Sequence, residues 1–314
     1  MLIGNTLIKH LLRNRNFIFL LAIITGLLFP RGTKWTEPLL LPVLAVVMTL
    51  STMGISNNIF RFPRSLLFPA LMGILMNYVL LGTLIIALAA ILIHKETLWT
   101  GFVILAAAPP AVAVIPFSAF LKGDSTYSLF GTVGAYLGAL IIMPLMAVGL
   151  LGSTSLDPSR LLAIMFQVII FPLTVSRILI WKGWHERIEP VKGVITDWGF
   201  FLILYTIMGL NRDTLIGMPL TLLPVAAIAF AGTFLLGFLI EWTGRLFRIN
   251  REVATSLVLL GTLKNCGLAG GIALTLYSRE AALPAVVSTV FIIIYVIWLD
   301  FKKQWDRSTV ELPR

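Results

Sequence analysis

Apolar runs long enough to cross a bilayer follow one another along almost the whole chain, and they leave room for little else. Ten runs, at about 14–31, 37–56, 65–93, 97–121, 124–151, 159–181, 192–211, 215–246, 251–278 and 280–301, are separated by short polar turns. A transmembrane helix needs about 20 apolar residues, and continuous runs of this length are helical in hydrocarbon, where each backbone group must find its partner within the segment. Of the 314 residues, 58% are hydrophobic and 12% charged, and the mean hydropathy is +0.97. An ordinary soluble domain carries about 25% charged residues. A soluble enzyme, a disordered chain and a secreted disulfide scaffold are therefore excluded. The single cysteine, Cys266, excludes an internal disulfide and a thiolate cluster. The expectation is an all-α polytopic membrane protein whose one membrane domain covers 1–314.

The formal net charge is +10. The basic residues sit in turns between apolar runs, where they read as topology signals, so no nucleic-acid partner is expected. With the N-terminus inside, 17 of the 24 Lys and Arg fall in cytoplasmic segments, 6 fall in outer turns, and Lys264 lies within a run. Positive residues concentrate on the cytoplasmic side. Both termini are thus expected in the cytoplasm of a cell whose inner membrane holds the chain. The first run follows Lys9, Arg13 and Arg15 without a small-residue cleavage site, and is expected to remain as the first helix.

Two runs are interrupted. The fourth carries Pro109 and Pro110, then Pro116, where a continuous helix would lose backbone hydrogen bonds. The ninth carries Gly261, then Lys264-Asn265-Cys266-Gly267, then Gly270-Gly271 at its centre. These are the fourth places in two sets of five. Five is odd, so the second set begins on the opposite face and is inverted. Each interrupted run is followed by a short charged turn, Lys122-Gly123-Asp124 or Arg279-Glu280, and another long run. Broken helices at matching places in inverted repeats mark the substrate site of a secondary transporter. Proline and glycine also ease helix packing in membranes, but packing alone does not explain the matching places or the lysine.

An ammonium at the bilayer midplane costs several kcal/mol unless it is solvated or paired. Lys264 lies about 13 residues from either end of its run, roughly 20 Å at the α-helical rise, too far to snorkel. It must occupy a polar pocket, face a water-filled crevice or be neutral. No acid shares its depth: Asp197 is a few residues into the seventh run, and Glu241 is near the end of the eighth.

The local motifs resemble those of the bile acid:sodium symporter family. Leu41-Pro42 through Met48, Met53-Gly54-Ile55, Arg61 and Pro63-Arg64 resemble its second span and the loop that follows. Ala108-Pro109 through Lys122-Gly123-Asp124 and Ser128 resemble its first crossing helix and the next helix. Lys264-Asn265, Leu268-Ala269 and Pro284 resemble its second crossing helix. The likeness covers nearly the whole chain in the number and order of spans. It implies ten helices in two inverted five-helix repeats, with discontinuous crossing helices 4 and 9. It further implies a panel (14–56 and 159–211) and a core (65–151 and 215–301), an organic anion bound between them, two sodium ions in the core, and alternating access.

The departures from the family fall on the sodium sites. Where the first broken helix of the family carries a Ser-Asn pair, this chain has Val114 and Ile115; where the second carries a glutamate and a glutamine, it has Leu260 and Lys264. Hydrocarbon side chains cannot ligate a hard cation, which takes oxygen. Asn77 stands where the family has glutamine, and Ser128 and Thr132 match family hydroxyls. Neutral oxygens on Asn77, Ser128, Thr132 and Thr262, together with the freed carbonyls of the broken helices, are the expected partners of Lys264, which then replaces the coupling cation. Its ammonium either exchanges a proton during the cycle or keeps its charge in a facilitator or exchanger. The alternative is that it pins the crossing helices. The substrate is expected beside Pro109, Pro110, Asn265 and Cys266, with Asn265 either donating to a carboxylate, as the resemblance implies, or capping a helix break.

Other classes fit less well. A membrane enzyme needs a nucleophile, a metal or paired carboxylates at one depth, and a channel needs a ring of like groups; the sequence offers neither. His10, His94 and His185 share no ligand spacing, so no metal or other cofactor is expected. A non-transporting ligand sensor on the same fold, or a sodium-coupled symporter, remains an alternative to a sodium-independent, monomeric transporter of a small organic anion or amphipathic carboxylate. The apolar positions Val112, Ile294 and Tyr295 point to a solute of low polarity.

Overall fold

The computed structural model describes residues 15–53, 64–111, 113–152, 163, 166–217 and 222–310. Lys9, His10, Arg13, Gly54, Ile55, Arg61, Pro63 and Val112, invoked above, lie outside them. The described residues are helical and form no strand. Six helical stretches are long and apolar enough to cross a membrane: Pro30–Leu50, Leu66–Leu92, Ser125–Leu151, His185–Leu210, Leu223–Leu246 and Glu280–Lys302. Four shorter apolar helices accompany them: Phe17–Leu28, Glu96–Ala107, Phe171–Trp181 and Cys266–Leu276. The first of the six, which corresponds to the expected run at 37–56, starts earlier than the sequence suggested, because Pro30 at the start of a 3-10 turn continues into α-helix through Thr33–Thr36.

In chain order the principal helices are α1 (Arg15–Leu28), α2 (Leu40–Met53), α3 (Arg64–Ile74), α4 (Thr83–Leu92), α5 (Glu96–Ala107), α6 (Val114–Phe120), α7 (Ser125–Leu151), α8 (Phe171–Trp181), α9 (His185–Leu210), α10 (Leu223–Phe230), α11 (Leu236–Leu246), α12 (Arg251–Thr262), α13 (Cys266–Leu276) and α14 (Leu283–Val310). Single π segments, Leu75–Gly82 between α3 and α4 and Ala231–Leu235 between α10 and α11, join two long spans without interrupting them.

The helices pack in two groups. α1, α2, α8 and α9 lie against one another, and Arg177 Nη2 on α8 donates to Thr52 O on α2 at 2.6 Å. The remaining helices form the larger group around α5, α7, α12 and α13. There α3 and α7 approach so closely that a Cβ on Gly73 would lie 1.9 Å from Gly131 O. The main link between the groups is α13, whose Gly267, Gly270 and Gly271 face Phe200, Ile207 and Leu44.

The runs at 97–121 and 251–278 each divide into two helices, α5 with α6 and α12 with α13. The turn after each break docks on the beginning of the other broken run. Asp124 caps α7 through Tyr127 N at 2.9 Å, its own N–H donates to Glu252 O at 3.0 Å, and Ser256 Oγ donates to Asp124 O at 2.8 Å. At the opposite end, Glu280 accepts from Lys95 Nζ at 2.5 Å and from Thr97 Oγ1 at 2.8 Å. The two breaks are thereby held at a fixed crossing.

Candidate functional site

At the crossing, the main chains of the two breaks pair with each other. Pro110 and Lys264 form an isolated antiparallel bridge, flanked by Ala111 N to Leu263 O at 2.8 Å and Asn265 N to Pro109 O at 2.9 Å. The sequence accounts for this locally. Pro109 and Pro110 have no N–H to continue α5, and the residue before a proline is driven out of the helical region. Ala108 is accordingly extended, with φ −65° and ψ 146°. The last carbonyls of α5 are left without helical partners, and the helix C-terminus carries partial negative charge.

Lys264 fills that position. Its side chain is almost wholly buried, and Nζ donates to Ala106 O at 2.7 Å, Ala108 O at 2.8 Å and Asn77 O at 3.0 Å. An ammonium has three hydrogens and no acceptor, so these three carbonyls satisfy it. The Tyr78 ring adds a face, with its centroid 4.9 Å from Nζ. Asn77 lies in the π segment Leu75–Gly82, where the wider turn disturbs the regular helical bonding of its carbonyl.

The remaining expected residues divide around this shell. Asn77 takes part through its main-chain oxygen, while its Nδ2 donates to Ala108 O at 3.1 Å. Thr262 is buried beside Lys264, but its hydroxyl bonds Val258 O within its own helix at 2.6 Å. Ser128 and Thr132, one turn apart on α7, are not among the Lys264 partners. Their hydroxyl oxygens and Asn77 Oδ1 are buried without a hydrogen-bond partner. Leu260 packs against Gly131, which lies between these two in sequence, and Val114 is fully buried. The side chains at those two positions offer no oxygen.

Asn265 uses both ends of its amide. Oδ1 caps α13 by accepting from Leu268 N at 3.0 Å, and Nδ2 donates to Tyr136 Oη at 2.9 Å. Capping and bracing therefore occupy the group that was also considered as a donor to substrate. Pro109 and Pro110 act through the crossing itself.

A crevice of about 310 Å³ opens between α1 and α9 on one side and the breaks and α14 on the other. Phe200, Leu204, Ile115, Phe117 and Ile292 supply apolar walls, and Lys264, Asn265, Cys266 and Gly267 line its depth. Lys192, Thr196 and Thr289 also line it. Sequence reasoning counted Lys192 only as a topology charge; the signal available was its four-residue spacing to Thr196, Phe200 and Leu204. Ile294 is 50% exposed on the outside of α14 and Tyr295 is buried against Phe234, so Ile292, Ile293 and Val296 take the crevice positions in their place.

The apolar helices and the crossing of two broken runs beside a crevice define a multi-pass α-helical membrane protein. Residues 39–218, more than half of the chain, match the sequence model of the Sodium Bile acid symporter family, and the chain belongs to that family. Its members are transporters rather than enzymes, which places this chain among transport proteins acting on small solutes in a lipid bilayer. A search of curated proteins gave no match.

Proposed function

We propose that the chain is a sodium-independent secondary transporter of a small organic anion or amphipathic carboxylate, working by alternating access, with Lys264 standing in for the coupling cation. The observation that carries this reading is the Lys264 ammonium enclosed by Asn77 O, Ala106 O and Ala108 O. Those are hard neutral oxygens of the kind a bound cation takes, and the side chain delivers its own positive charge to them.

Several features support two inverted five-helix repeats. Six long and four short apolar helices follow the order of the ten expected spans. The breaks hold the fourth place in each set of five, and a π segment falls in the third place of each set, with a further one at Phe166–Ile170 in the sixth run. The reciprocal docking of Asp124 on Glu252 and of Lys95 on Glu280 relates the halves in the same way. The smaller helix group then serves as the panel and the larger as the core. Both termini are cytoplasmic in this reading, so the crevice opens inward and the outer side is closed where Glu37 meets Arg279 at 3.6 Å.

The test is solute counterflow in liposomes containing the purified full chain. Flux that is independent of sodium and lost in Lys264→Met supports the reading; specific binding without flux makes the chain a sensor. A sodium-coupled symporter is the second reading, favoured by the buried Asn77 Oδ1, Ser128 Oγ and Thr132 Oγ1 without hydrogen-bond partners. Saturable sodium dependence of flux would establish it.

A further inference from the structure

Lys264 and Asn265 line the crevice but have no donor left for a ligand. The three hydrogens of the ammonium go to three carbonyls, and the two of the Asn265 amide go to Tyr136 Oη and to Met48 Sδ at 3.8 Å while its oxygen caps α13. Among the described residues, the other charged side chain lining the crevice is Lys192. It lies two turns into α9, and Thr196, Phe200 and Leu204 follow at intervals of four. That spacing puts all four on one helix face, and this face lines the crevice.

The Lys192 side chain is 20% exposed, Thr196 and Leu204 are buried, and Phe200 between them is half-buried. Polarity falls along the stripe, from ammonium through hydroxyl and ring to an aliphatic side chain. The facing wall, with Ile115, Phe117 and Ile292, is apolar. A cavity of about 310 Å³ is at the small end of ligand clefts, which run from about 300 to 1,000 Å³.

We propose that Lys192 is the anion-selecting residue of this crevice, and that the ligand is a small amphipathic monoanion. Its carboxylate pairs with Lys192 at the mouth, and its apolar body lies along Phe200 and Leu204. The structure already shows a carboxylate in that place: Lys192 Nζ lies 2.8 Å from both oxygens of Glu189, three residues earlier and 62% exposed. Glu189 is an internal competitor that a ligand carboxylate displaces into water. The proposal rests on the transport reading given above, but its binding test stands apart from it.

The experiment uses the purified full chain, with octanoate as the anionic probe and octanamide as its uncharged counterpart. Lys192→Met is expected to weaken octanoate binding about ten-fold, the scale of a charge-assisted hydrogen bond, and to leave octanamide binding unchanged. Lys192→Arg keeps the charge and stays within about three-fold of wild type. Glu189→Gln removes the competitor and tightens octanoate binding about two- to five-fold, the scale of an exposed ion pair.

Opposite signs at Lys192 and Glu189 decide the matter, because a merely structural pair would weaken binding from either side. Equal octanoate affinity in wild type and Lys192→Met overturns the proposal; so does a loss in Glu189→Gln, or no octanoate binding by the wild type. Octanoate exchange across liposomes is measured alongside. Lys192-dependent binding without exchange overturns the transport reading and leaves the anion site standing. Exchange unaffected by Lys192→Met overturns the anion site and leaves transport standing.

Discussion

Pro110 and Lys264 face each other as an antiparallel bridge, and the two bonds beside it join the broken runs main chain to main chain. Backbone groups at membrane depth must be satisfied within the protein, and here each break supplies what the other lacks. The crossing does not depend on the Lys264 side chain, which enters a frame that the backbone has already closed.

Removing that side chain leaves the frame but exposes its need for a donor. Lys264→Met deprives Asn77 O, Ala106 O and Ala108 O of the ammonium, and one buried group left unsatisfied costs about 1–3 kcal/mol. A net loss of about 3 kcal/mol is expected, seen as a lower unfolding temperature in detergent, with transport abolished. Lys264→Gln, which keeps two N–H donors, should unfold between the two. Wild-type stability and flux in Lys264→Met would remove the lysine from the mechanism.

Sodium should be dispensable. Leu260 and Val114 are buried hydrocarbon where the family resemblance implies oxygen ligands. Replacing sodium with choline is expected to leave octanoate binding and counterflow unchanged. Leu260→Glu combined with Lys264→Gln places a carboxylate beside the Ser128 and Thr132 hydroxyls, and should introduce a sodium-dependent rise in unfolding temperature that the wild type lacks.

Orientation can be read by labelling. In a chain carrying Cys266→Ala, a cysteine at Arg187 should react only with reagents that reach the cytoplasm, and one at Lys95 only from outside. The reverse pattern would invert the charge argument and the assignment of the crevice to the inner face.

The breaks were legible because Pro109-Pro110 and the Gly261 to Gly271 stretch declare themselves by residue type, and the depth of Lys264 follows from counting. Its ligands were legible in part. The sequence pointed to side-chain oxygens on Asn77, Ser128, Thr132 and Thr262 and to the freed carbonyls of the broken helices; the lysine takes main-chain oxygens, two of them the freed carbonyls of Ala106 and Ala108 and the third Asn77 O. Nothing in Leu75–Gly82 marks a π segment by composition, so no pattern announces that Asn77 O points at the site. Asn265 was hidden for another reason: its partner Tyr136 lies in a different helix, and a single sequence carries no signal of pairing at that separation.

The outer closure should respond to charge. Glu37 and Arg279 are 3.6 Å apart and partly exposed, which limits the pair to about 0.5 kcal/mol. Glu37→Gln is therefore expected to shift the conformational balance about two-fold at most. In the Cys266→Ala background, the rate of disulfide formation between cysteines at Leu44 and Gly271, which face each other across the two helix groups, would report that shift.

The contact of α3 with α7 leaves no room for a methyl group. Gly73→Ala puts a Cβ against the Gly131 carbonyl and should cost about 2 kcal/mol or more, measured as a drop in unfolding temperature. Gly149→Ala, with nothing within 4 Å, is the control and should be neutral or stabilising by up to about 1 kcal/mol.

The π segment at Leu75–Gly82 also sets a phase. A single widened turn is equivalent to one residue inserted into an α-helix, so the helix beyond it is rotated by roughly 100° relative to the helix before it. Gly73, packed on Gly131, and Leu81, against the core, therefore lie on either side of this change of phase. Shortening the segment by one residue would turn one face away from its partner while the other stayed seated. The same widened turn that presents a carbonyl to Lys264 thus keeps the two ends of its span in register.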